Sequence, residues 1–189
     1  MQEIIKGTGI FIYPLGLFSF LAAYVIIERL LALRTWRVLP KSMSDAFISG
    51  EIVNYPGDMD SVAGRIVYFF RKTNPDPDAL KAYARLEIAK LERGMFILEI
   101  VVAGAPLLGL LGTITGLAQV FSAQVVNGGL PDKAAFIKGI SLALTTTMMG
   151  LCIAIPALVG NSYLHRRIEL LATRLDMGLE RLLDLSKKR

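Results

Sequence analysis

The sequence predicts an all-α membrane protein with three transmembrane helices, on three observations. Residues 7–27, 100–131 and 139–164 contain no Asp, Glu, Lys, Arg or His, and each stretch reaches the roughly twenty residues that a helix needs to cross hydrocarbon. The 189-residue chain is 53% hydrophobic with a mean hydropathy of +0.52, more apolar than a soluble domain of this size can be. The charges gather between the apolar stretches, in residues 28–99, 132–138 and from His165 onward.

The order of elements follows. Residues 1–7 form a short outer N-terminus and 8–28 the first span, in which Pro14 sits in the first turns, where its missing N–H costs least. Basic residues follow this apolar core rather than precede it, so it reads as a retained anchor and not a cleaved leader. Residues 29–98 form a cytoplasmic helical region. Breakers at Gly50, Tyr55-Pro56-Gly57 and Asn74-Pro75-Asp76-Pro77 leave room for two short helices, about 43–49 and 59–72. A further helix starts near Asp78, the expected N-cap, and is expected to run unbroken into the second span, 99–123. A short outer loop, 124–137, leads to the third span, 138–164, which continues into a cytoplasmic helical tail, 165–189. In that tail Ile168, Leu171, Leu175, Leu179, Leu182 and Leu185 recur every three or four residues as an apolar stripe. Its partner is either the helix at 78–98 or a neighbouring subunit.

The net charge of +5 is topological. Arg29, Arg34, Arg37 and Lys41 flank the first span, and His165, Arg166 and Arg167 flank the third, so these sides stay in the cytoplasm and the N-terminus lies outside. Nucleic-acid binding is not implied. The single Cys152 permits no internal disulfide and no metal-ligand spacing, and no residue pattern calls for a cofactor.

Two features of the spans bear on function. Small residues recur on one side of each: Ala105, Gly109, Gly112, Gly116 and Ala123 in the second; Ala143, Gly150, Ala154 and Ala157 in the third, with Thr147 in the same row. Such rows let helix backbones approach closely. Three helices bury few faces, so a homo-oligomer is expected in the surrounding lipid. Hydroxyls are the second feature: Thr113 and Thr115 in the second span, Ser141 and Thr145–Thr147 in the third. Successive helical side chains point about a hundred degrees apart, so the triple cannot have one job. Thr147 is the first candidate for a polar interior and Thr146 the second, Thr145 is satisfied by its own helix, and Thr113 is the counterpart of Thr147. Pro106 and Pro156 each free a carbonyl within a span, as kinks tolerable where protein or water satisfies it. The spans hold no interior Asp, Glu, His, Lys or Arg, so if protons move here the titrating carboxylate belongs to another chain.

Taken together, "LERGMFILEIVVAGAPLLGLLGTITGLAQVF", "GISLALTTTMMGLCIAIPAL" and "YPLGLFSFLAAYVIIERL" resemble the ExbB/TolQ/MotA family of inner-membrane proton-channel and motor proteins, closest to ExbB and TolQ. The resemblance implies a non-enzymatic stator subunit in a pentamer. It implies an ExbD/TolR-like single-span partner carrying a membrane aspartate, and a TonB- or TolA-like protein beyond it. Proton flow would then drive work on the cell envelope, in outer-membrane transport or envelope maintenance. The family's pore-lining threonines correspond to Thr113 and Thr147. The sequence departs from the family at Leu142, where many members have glutamate, at Asn161–Ser162, where Tyr-Asn often follows, and in lacking MotA's fourth span. The rival readings are a non-conducting oligomeric scaffold and a solute-transporter subunit; the latter finds no inverted repeat or Gly-rich nucleotide site.

Overall fold

The computed structural model describes residues 9–34, 38–40, 43, 59–127 and 133–187, and these are helical apart from turns. A 3₁₀ turn at Gly9–Phe11 leads into α1, Ile12–Ala32. α2 spans Val62–Thr73, α3 Pro77–Leu91, α4 Met95–Asn127 and α5 Lys133–Lys187. Three of these, α1, α4 and α5, are long and apolar enough to cross a membrane. Only 17%, 33% and 28% of their most apolar windows is buried within the chain, so the remaining apolar surface needs lipid or other chains to cover it. The expected short helix at 43–49 lies outside the described residues except for Met43.

The chain divides into two compact units. One comprises residues 1–26 and 94–161, the apolar part of all three spans. Here α1 buries Leu15, Ala22 and Val25, one face of the helix. Phe18 packs where a Cβ on Gly104 would stand, and Ile26 does the same at Gly160. α1 therefore touches both other spans through side chain against glycine.

The second unit comprises residues 27–93 and 162–189. α2 starts at Ser61, whose hydroxyl accepts the Gly64 N–H at 3.0 Å, satisfying one orphan donor of the first turn. It ends at Asn74, in the left-handed region at φ 42°. The following helix begins one residue before Asp78, at Pro77, with Asp76 in the cap position. The fixed φ of proline suits the first helical position, where its missing N–H is no loss, and Asp78 sits in the first turn instead. Phe69 and Tyr83 stack at 4.2 Å between ring centroids, joining α2 to α3. The tail stripe is buried within its own chain at Ile168, Leu171, Leu175, Leu179 and Leu182, so it packs intrachain.

The helix expected to run unbroken into the second span is interrupted. α3 stops at Leu91 and α4 starts at Met95, because Gly94 takes φ +88°, a conformation that costs glycine nothing and other residues about 1–2 kcal/mol. The last turn tightens, with Glu92 and Arg93 donating to the carbonyls of Ala89 and Lys90. Arg29 reaches the Leu91 carbonyl at 3.5 Å, one of the acceptors a helix end leaves open.

Glu87 on α3 was not singled out by sequence. Its side chain is 1% exposed and accepts from Arg65 at 2.7 and 2.9 Å and from Lys90 at 2.5 Å. Burial pushes this carboxyl up, but the hydrogen bonds from Lys90 and Arg65, with both charges, outweigh it and hold the group below its ordinary value of 4.5. A carboxylate whose pKa is lowered on folding stabilises fully above the unfolded value and loses that contribution as pH falls through the lowered one. Glu87→Gln is therefore expected to cost about 1–3 kcal/mol at neutral pH, read as a lower unfolding temperature in detergent. Below the folded-state pKa the difference from the parent should shrink; a deficit that is constant with pH would rule out the ionised carboxyl as its source.

Candidate functional site: the seam between the second and third spans

In α4 the small residues Ala105, Gly109, Gly112 and Gly116 are all buried, at spacings of four, three and four. α5 answers with Gly139, Ala143, Thr146 and Gly150 at the same spacings, also buried. The helices run antiparallel, so the two rows meet in reverse order. A Cβ on Gly150 would lie 2.5 Å from the Ala105 carbonyl oxygen, and one on Gly116 would lie 2.6 Å from that of Gly139. At Gly109 the neighbours are the Thr146 carbonyl and Thr147 Cα, both 3.0 Å away. The contacts are backbone against backbone, which in lipid supplies the dispersion energy that water exclusion cannot.

The row of α5 differs from the expected one. Thr146, not Thr147, completes it: Thr146 is wholly buried, while Thr147 is half-buried at its margin. Both lie within three or four residues of Ala143 and Gly150, so spacing alone does not separate them. Gly139, which packs against Gly116 and Val120, was missed, although its four-residue offset from Ala143 is the available signal. Ala154 and Ala157 are buried as well. The Ala123 side chain lies outside what is described.

The hydroxyls divide into two kinds. Thr113 donates to the Leu110 carbonyl at 2.6 Å, Thr115 to Gly112 at 3.0 Å and Thr145 to Ser141 at 2.7 Å, each within its own helix. Thr146 shares its proton between Leu142 and Ala143, at 2.9 and 3.1 Å. Thr147 instead crosses the seam and donates to the Gly109 carbonyl of α4 at 3.2 Å. That carbonyl is one helical turn before Thr113 and is the acceptor that α-helical geometry assigns to the Thr113 N–H. The structure thus brings the Thr147 hydroxyl to the carbonyl one turn before Thr113, while the Thr113 hydroxyl turns back to Leu110 and Thr145 is left out.

Pro106, half-buried, and Pro156, exposed, lie inside α4 and α5 without ending them. Leu142 is half-buried beside Gly9 and lines, with Ile10, Phe11 and Ile137, a cleft of about 690 Å³. A hydroxyl cannot titrate near neutrality, but it carries one donor and two lone pairs. The seam can therefore donate to an anion or accept from an acid, and it needs a titrating group from elsewhere to move a proton.

A membrane protein of three spanning helices, with a backbone-tight seam and a hydroxyl across it, is the class these observations define. Comparison with known proteins gives the family: residues 62–177 match the MotA/TolQ/ExbB proton channel family, and the chain belongs to it. It is 33% identical over 174 residues to the ExbB-like 1 biopolymer transport protein of Synechocystis, covering 84% of this chain and 68% of that one. Over 110 residues it is 34% identical to the biopolymer transport protein ExbB of Helicobacter pylori, 57% of this chain and 72% of the relative. With the biopolymer transport protein exbB1 of Vibrio cholerae it shares 27% identity over 179 residues, 85% and 77% of the two chains. Membership makes it a component of a transport system, not an enzyme.

Because backbone has no room to give, Gly150→Ala is expected to destabilise the protein by about 1–3 kcal/mol. Gly16→Ala, whose Cβ meets nothing within 4 Å, should be neutral or gain up to about 1 kcal/mol from helix propensity. Thermal unfolding of the two variants in detergent compares them directly; equal melting temperatures would contradict the tight contact.

Proposed function

We propose that this chain is an ExbB/TolQ-like proton-channel stator subunit. With an ExbD/TolR-like single-span partner, it couples proton motive force to mechanical work on the cell envelope. The observation that carries this reading is the Thr147 hydroxyl, held at the seam of two spans whose interiors contain no Asp, Glu, His, Lys or Arg. Ionised carboxylate in hydrocarbon is costly unless hydrogen-bonded. A partner aspartate beside Thr147 and Thr113 would receive donated hydroxyl protons when charged, and would donate its own proton to a hydroxyl lone pair when neutral. The pair would thereby lower the cost of both forms without titrating.

The membrane is then the bacterial inner membrane, with the N-terminus periplasmic and residues 28–99 and the tail cytoplasmic, as the distribution of Lys and Arg favours. Several copies, five by family likeness, would surround the partner's helix, using apolar span surface that the single chain leaves open. A TonB- or TolA-like protein would receive the work. The contrary reading, a non-conducting scaffold, draws on the hydroxyls of Thr113, Thr145 and Thr146 being bonded within their own helices.

Two measurements separate them. Reconstituted alone in liposomes, the protein should pass no protons, and flux should appear on adding the aspartate-bearing partner. Flux without the partner would contradict the missing-carboxylate argument. Thr147→Val should abolish that flux while the oligomer keeps its size, Thr147→Ser should retain much of it, and full flux in Thr147→Val would end the proposed role.

A further inference from the structure

Thr146 lies directly before Thr147, and its surroundings differ from those of the other span hydroxyls among the described residues. It is wholly buried, with its proton committed to its own helix. Its side chain fills the space that a Cβ on Gly112 would take: that atom would lie 2.5 Å from Thr146 Cβ, 2.8 Å from Cγ2 and nearer still to Oγ1. Gly112 in turn lies directly before Thr113. A knob and its notch thus immediately precede Thr147 and Thr113, and the Thr147 hydroxyl reaches the Gly109 carbonyl at 3.2 Å.

Sliding or rotating α5 against α4 would lift Thr146 from the Gly112 notch and carry Thr147 off Gly109. With the seat filled, the Thr147 proton is spent on the carbonyl and its lone pairs are left free, which suits an O–H donor better than an anion. We propose that Thr146 is a positioning residue whose shape, seated in Gly112, holds the Thr147 hydroxyl on the Gly109 carbonyl as an acceptor for the partner's protonated acid. This rests on the stator reading above. When the acid gives its proton to water, the Thr147 hydroxyl exchanges its acceptor, leaving Gly109 for the carboxylate, and returns when the carboxylate takes a proton from water on the other side of the membrane. No bond to carbon changes and the hydroxyl keeps its own proton throughout. The hydroxyl of Thr146 has no part in the exchange.

The test uses the full chain with its aspartate-bearing partner in liposomes, with proton flux followed against pH. Thr146→Ala empties the seat and should lower flux about tenfold, a displacement effect, and move its pH profile, with the assembly intact. Thr146→Val refills the seat without a hydroxyl and should restore both rate and profile. The size swap Gly112→Ala with Thr146→Gly, which relocates the knob, should recover most of the flux that Gly112→Ala alone loses. Parental flux and profile in Thr146→Ala would overturn the proposal, as would a Thr146→Val variant as impaired as Thr146→Ala, since the hydroxyl itself would then be required. Reduced flux with an unchanged profile would overturn it too, by assigning Thr146 to packing alone. Thr147→Val separates the two levels. If it conducts fully, the role of Thr147 fails and the seat with it; if it is silent while Thr146→Ala is normal, only the seat fails; and a parent complex that passes no protons would end the stator reading itself.

Discussion

The backbone-to-backbone approach of the second and third spans is the constraint on which the rest of the apolar unit depends. Inside lipid, helices gain nothing by hiding apolar surface from water, so association rests on dispersion and on the few polar bonds available. Both grow steeply as backbones close. The seam answers with two rows of small residues at matching spacings, and carbonyls of one helix stand where the other helix has no Cβ. Such an interface has one register. A larger residue in either row would hold the helices apart, and a slip of one residue would set side chains against carbonyls.

That register decides what the hydroxyls can do. A threonine in a lipid-exposed helix bonds back to its own turn and is chemically quiet, as Thr145 is here. Thr147 escapes this because the seam brings the Gly109 carbonyl of a different helix within reach. The spans offer a hydroxyl aligned between helices and no titrating group beside it, an arrangement suited to serving a carboxyl from another chain. Membership of a proton channel family gives that suitability its context.

The polar unit solves a different problem with a different interaction. Its helices are short and in part mixed in charge, and they are joined by an apolar stripe along the tail, by one aromatic stack and by the ion triad centred on Glu87. A lone buried carboxylate would be destabilising. Arg65 and Lys90 convert it into a fixed point between α2 and α3, since the carboxylate accepts from both at once. The break at Gly94 then ends α3 before the second span starts, and this residue, able to take a positive φ, marks one of the three sequence boundaries between the units.

The sequence by itself determined the three spans, the tail stripe and the small-residue faces, because each is a one-dimensional pattern: uninterrupted apolarity, or recurrence every three or four residues. It also determined that no acid lies in the interior of the spans. Other features required the folded chain. The text "LERGMF" reads as continuous helix, and only the backbone at Gly94 shows the interruption, since a single glycine can be tolerated within a helix as well as end one. Glu87 looks like an ordinary solvated charge until Arg65, 22 residues away, is brought against it. Thr146 and Thr147 fit the small-residue row equally well by spacing, and the facing helix chose between them. Gly112 accepts Thr146 as a knob, and Gly109 offers Thr147 a carbonyl. Which of two adjacent hydroxyls packs and which one reaches across is a matter of rotation about a helix axis, and that rotation is set by the partner's shape rather than by the helix's own sequence.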